Sequence, residues 1–160
     1  MSYSQKYALV HFIPSVSPGT TFPMSQWLLH VTLADVFAID RRATDIDKKL
    51  AALCMSAHPT ETAAIADSIL GTAHVVLLKK TPPLLQLHTD IISLLEKNGA
   101  VFNHPHYTRD GFIPHSTIQT SGRLSIGETI AIDTISLVDM FPDGDWEQRR
   151  VLATFPMSGA

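Results

Sequence analysis

Trp27-Leu28-Leu29-His30-Val31-Thr32-Leu33 sets a histidine and a threonine, two positions apart, into an apolar run. In extended backbone successive side chains point to opposite faces. Trp27, Leu29, Val31 and Leu33 therefore share one face, and His30 and Thr32 share the other. The pattern predicts a strand over 27–39 with a buried side and a chemical side. The same spelling returns 85 positions later as His115-Ser116-Thr117-Ile118, within a predicted strand over 112–119. Each copy projects an imidazole and a hydroxyl the same way. Two such pairs meeting across a cleft would place two proton-transfer groups and two hydroxyl donors around one anion.

Outward from these strands the elements alternate in type. A strand is predicted over 7–14 and a Ser/Pro/Gly loop over 15–24. A helix follows, with Thr44 as N-cap, Asp47 in the capping-box position, and Ile46, Leu50, Leu53 and Ala57 at helical spacing. His58-Pro59 ends it, since the residue before proline is pushed out of the helical region. Strands over 62–70 and 73–79 flank Gly71-Thr72, a two-residue hairpin signal. A second helix starts after Thr81 with Pro82 at its first position. It buries Leu84, Leu87, Ile91 and Leu95 and stops at Asn98-Gly99. A polar loop covers 103–110. Strands over 130–140 and 147–157 are joined by the turn Pro142-Asp143-Gly144-Asp145. The order predicts an α+β fold that is bilobal: two small antiparallel sheets, each with a helix, as duplicated lobes around a central groove. A single domain over 1–160 is expected.

Composition narrows the function classes. Among 160 residues the net charge is −3, and the pI is about 6.2. A protein that tracks long nucleic acid carries a basic excess; this chain does not, so an RNA end or a small nucleotide is the better partner. Cys54 is the only cysteine, so neither a disulfide framework nor a thiolate metal site is expected. The N-terminal stretch lacks signal-peptide features, and no run approaches the ~20 apolar residues of a membrane span. A cytoplasmic monomer with no membrane partner is the expectation.

The paired motifs resemble those of the 2H phosphoesterase superfamily, whose members include 2′-5′ RNA ligase and cyclic phosphodiesterase proteins. Phe112-Ile113-Pro114-His115-Ser116-Thr117-Ile118 is similar to that family's second motif, with an aromatic residue and a proline ahead of the histidine, and 27–33 is similar to the first. The hairpin over 135–155 also fits the family's C-terminal end. The resemblance implies a bilobal fold with both motifs facing one groove. It also implies action on 2′,3′-cyclic phosphates or 2′-5′ phosphodiester bonds without metal or cofactor. Where some members carry a basic residue soon after the second threonine, this chain has Gln119, Thr120 and Ser121, with Arg123 only later.

The chemistry expected of these residues follows from their side chains. His30 and His115 serve as acid and base, since imidazole titrates near neutrality. Thr32 and Thr117 donate to the non-bridging phosphate oxygens, where charge gathers in the transition state. Tyr107 and Phe12 are candidates for stacking on a base, and Arg109 for holding phosphate. His104-Pro105-His106 could be half of a metal site, but no carboxylate motif accompanies it and no metal is expected. His11, His58, His74 and His88 receive no role. Two competing readings stay open: a module that binds an RNA end or nucleotide without turnover, and an interaction protein in which the motifs coincide by chance.

Overall fold

The computed structural model describes residues 5–159. In chain order the elements are β1 (Lys6–Phe12), β2 (Thr21–Pro23), β3 (His30–Ala38), α1 (Arg41–Thr44), α2 (Ile46–Ser56), β4 (Thr60–Leu70), β5 (Ala73–Leu78), α3 (Pro82–Lys97), β6 (Val101–Phe102), β7 (His115–Thr117), β8 (Thr129–Ile132), β9 (Thr134–Asp139) and β10 (Gln148–Pro156). Two antiparallel sheets result. The six-stranded sheet runs β2-β10-β9-β1-β3-β6, and the four-stranded sheet runs β7-β5-β4-β8. This is the α+β, two-sheet arrangement the pattern predicts.

β1 lies between β9 and β3, so both its edges are paired. Tyr7 and Leu9 enter the main core, whereas Ala8, Val10 and Phe12 enter a smaller cluster with Phe22, Val138 and Val151. Direct pairing of Val10 with Thr32 and of Phe12 with His30 puts His30 and Thr32 on the small-cluster face of the sheet. Val31 and Leu33 take the opposite face and the main core. The helices cover that opposite face: α2 packs on β10, and α3 contacts β3 of one sheet and β4 of the other. The first motif is therefore left facing away from the helices.

Several boundaries differ from expectation for physical reasons. The segment 130–140 is two strands. β8 pairs with β4 in the smaller sheet and β9 with β1 and β10 in the larger, and the chain passes between them at Asp133. Hydrophobic alternation is satisfied on both sides of that point, so periodicity does not mark the crossing. The helix predicted from Thr44 is preceded by a short turn of its own. Asp40, not Thr44, caps that turn, accepting from the Ala43 N–H at 3.0 Å, while the Thr44 hydroxyl donates back to the Asp40 carbonyl at 2.6 Å. Asp45 then adopts φ 52° and separates α1 from α2. Asp47 pairs with Arg41 at 2.7 Å instead of closing a capping box. The predicted strand over 112–119 is reduced to β7, and β2 lies inside the expected loop over 15–24.

The second helix matches its signals closely. Thr81 accepts from the Leu84 N–H at 3.3 Å, Pro82 opens the helix, and Leu84, Leu87, Ile91 and Leu95 are buried. His88 is buried with them.

Candidate active site

His30 opens β3, and its Nδ1 lies 2.8 Å from the Leu28 carbonyl two residues upstream. His115 opens β7, and its Nδ1 lies 2.6 Å from the Ile113 carbonyl, again two residues upstream. A carbonyl can only accept, so in both rings Nδ1 carries the hydrogen. Nε2 is then the free position in each: an acceptor when the ring is neutral, a donor when it is charged. The two motifs repeat each other in spelling, strand position and hydrogen bonding.

The strands that carry them meet. β7 is the edge strand of the smaller sheet and lies against β3 of the larger one. Leu77 pairs with His115 and Val75 with Thr117, so that imidazole and hydroxyl share a face of β7 while Ser116 is buried on the other. The His30 ring lies tilted against Trp27 with ring centroids 4.4 Å apart and is backed by Phe12 at 6.1 Å. Burial lowers its pKa from 6.5 to about 4; the Leu28 carbonyl opposes the shift, and His115 is close enough for its charge to add to it. Among the described residues neither the Thr32 nor the Thr117 hydroxyl hydrogen-bonds another protein group, so both are free to donate to a ligand.

A cavity of about 220 Å³ opens beside these strands, lined by Thr32, Asp35, Leu70, Tyr107, Ile113 and His115 among others. His30 and Thr117 are not among its lining residues: His30 sits at the start of β3, two residues before Thr32, and Thr117 two residues along β7 from His115. Tyr107 lines the cavity. Arg109 does not: at φ 56° its backbone turns the guanidinium to α3, where it donates to Glu96 at 2.7 Å and to Ser93 at 3.3 Å. Phe12 is only 5 % exposed and supports the His30 ring from below, because Phe22, Trp27 and Val151 of the smaller cluster cover that face of β1. It has no free face for a base. Arg149 donates to the carbonyls of Met140, Trp146 and Gln148, Arg150 pairs with Asp143, and Arg123 pairs with Asp67.

Two residues at this site had no signal in the motif pattern. Asp35 reaches the cavity through a β-bulge: Val10 pairs with Thr32 but Leu9 pairs with Ala34, so β3 holds one extra residue there. The bulge puts both Leu33 and Ala34 in the core and returns Asp35 to the face of Thr32. Strict alternation would have buried Asp35. His104 Nδ1 donates to its carboxylate at 3.1 Å. The second is His88. Its ring lies flat on Phe112, with centroids 3.9 Å apart at 3°. Its Nδ1 donates to the Leu33 carbonyl at 2.6 Å, and its Nε2 accepts the Arg109 N–H at 2.9 Å. One neutral imidazole thus ties the first motif strand to the segment that leads into the second.

Among the described residues no three His, Cys, Asp or Glu side chains come together in metal-holding geometry, and no helix is long and apolar enough to cross a membrane.

Comparison with known proteins adds the family. The model of a family described as the 2′-5′ RNA ligase superfamily matches residues 19–146. No curated protein matches the sequence. Solved structures do match in fold: a phosphoesterase (TM-score 0.63, 15 % identity, 96 % of this chain and 98 % of that one), TT0787 of Thermus thermophilus (0.62, 15 %, 96 % and 98 %), and E. coli LigT complexed with 3′-AMP (0.59, 15 %, 98 % and 99 %).

Proposed function

The chain belongs to the 2′-5′ RNA ligase superfamily, the 2H phosphoesterases, and we propose that it opens 2′,3′-cyclic phosphates or cleaves 2′-5′ phosphodiester bonds at RNA ends or on small nucleotides. The observation that carries this reading is the mirrored pair of imidazoles on β3 and β7, each held by its own upstream carbonyl with Nε2 free. The described chain spans nearly the whole length of LigT, and that protein was crystallised with 3′-AMP, a ligand of the proposed size.

The reaction follows from the environment of each group. Burial keeps His30 neutral at working pH, so its Nε2 takes the proton from the attacking water. His115 lines the open cavity and in this reading acts as the acid. Its Nε2–H protonates the ribose oxygen as the P–O bond breaks. One proton enters the enzyme and one leaves, so the pair ends with its roles exchanged and is reset through solvent. Thr32 and Thr117 donate to the non-bridging oxygens as their charge grows. Proton transfer by side chains accounts for the chemistry, and the reading expects turnover in the presence of a chelator.

The test is turnover of 2′,3′-cyclic mononucleotides in EDTA by the wild type, His30→Ala and His115→Ala. Each variant should lose about 10²–10⁴-fold in rate. Full activity in either one rejects the assignment. Binding of the cyclic nucleotides by the wild type without product would instead make the cleft a binding module.

A further inference from the structure

Asp35 is out of place in a site built for phosphate. A carboxylate repels a phosphate group, and the bulge in β3 exists at the point that returns this carboxylate to the cavity. It must therefore serve another part of the ligand. Val10 pairs with Thr32 and Leu9 with Ala34, so the bulge reduces Thr32 to Ala34 to one strand step, and Asp35 lies about two steps, roughly 7 Å, along β3 from Thr32.

The surroundings fit a base. Tyr107 lines the same cavity and is 39 % exposed. His106 packs against the Tyr107 ring at 4.1 Å, and His104 fixes one oxygen of Asp35 by donating to Oδ2 at 3.1 Å. Among the described residues Oδ1 accepts nothing. The cavity thus combines an aromatic plane with an oriented pair of acceptor oxygens.

Resting on the function proposed above, we infer that this end of the cleft is a nucleobase pocket that selects guanine, with Tyr107 stacking on the base and Asp35 accepting from its edge. Guanine presents two adjacent donors, N1–H and N2–H, which match the two oxygens of a carboxylate. Adenine and cytosine each set an acceptor nitrogen beside their amino group, and that nitrogen would face Asp35 with like charge. Uracil offers one N–H between two carbonyls. Guanine alone pairs with a carboxylate without repulsion, and the stacked ring holds it in plane.

The experiment measures kcat/KM for the four 2′,3′-cyclic mononucleotides and, by calorimetry, Kd for the four nucleoside 3′-monophosphates. Both series use the wild type and Asp35→Asn, which keeps shape but replaces one acceptor with a donor. The inference expects guanosine to lead cytidine by about tenfold or more, the value of hydrogen bonds to a charged acceptor. That ratio should collapse in Asp35→Asn. Four equal bases, or a variant that lowers all four alike, overturns it while leaving the phosphodiesterase reading intact. If no cyclic nucleotide is turned over, that reading falls, and the Kd ratios alone decide the guanine pocket by the same criteria.

Discussion

Replacing His88 tests whether the site is held together by the contacts described above. The ring makes two buried hydrogen bonds, to the Leu33 carbonyl at 2.6 Å and from the Arg109 N–H at 2.9 Å, and one stack on Phe112 at 3.9 Å. His88→Ala orphans both backbone groups at about 1–3 kcal/mol each. It also forfeits about 0.5–1.5 kcal/mol of ring stacking. The expected loss is about 3–7 kcal/mol, against a total stability of about 5–15 kcal/mol for an ordinary domain. Urea unfolding at pH 8, where the imidazole is neutral in both states, measures it. His88→Phe separates the contributions, because it restores volume and stacking but leaves the two backbone groups unpaired; it should still lose about 2 kcal/mol or more. The pH dependence supplies a second, independent number. Protonation would turn Nε2 into a donor facing the Arg109 N–H, and burial already lowers the His88 pKa. The unfolded chain therefore binds the extra proton first, and the wild type's advantage over His88→Phe should shrink as pH falls below about 6.5. A His88→Phe protein as stable as wild type, or a pH-independent gap between them, refutes the bridge.

Three further outcomes are expected. The acid limb of the kcat/KM profile on a 2′,3′-cyclic nucleotide should lie near the lowered pKa of His30, about 4, since activity falls as that base gains its proton; a limb near the ordinary imidazole value would show that another group is the base. Thr32→Val and Thr117→Val should each lower kcat/KM by about 10–100-fold through loss of a hydrogen bond to a charged oxygen, and a change under about twofold in either removes that threonine from phosphate binding. In thermal unfolding Asp40→Ala should cost about 1 kcal/mol as a lost cap, with Thr44→Ala costing about half of that or less, and the reverse order would restore Thr44 as the helix start.

What the sequence disclosed depended on how local each determinant is. The motif strands could be read because strand alternation is a property of neighbouring residues, and the two His-x-Thr copies sit inside clear apolar runs. α3 was legible for the same reason: Thr81, Pro82 and Asn98-Gly99 act within a turn of its ends. The crossing at Asp133 was hidden, because partner choice is a tertiary matter and alternation continues through it. Asp35 was hidden by one extra residue in β3, which flips the faces without altering composition. The direction of Arg109 is not legible in sequence because its positive φ, not its charge, decides where it points. Phe12 is an aromatic near a motif, but its burial is tertiary: Phe22, Trp27 and Val151 come from distant segments to cover that face of β1. His88 carries no motif, and its two backbone partners come from segments 55 and 21 residues away.

The passage from β8 to β9 at Asp133 has a mechanical consequence. A continuous stretch of backbone is laddered into the smaller sheet on one side and the larger on the other, so the lobes share a rib whose joint, Asp133, accepts from the Met157 N–H. Spreading them apart would strip ladder bonds at both ends of that rib. The gap between the motif strands is thus formed together with both ladders, by one continuous segment of chain.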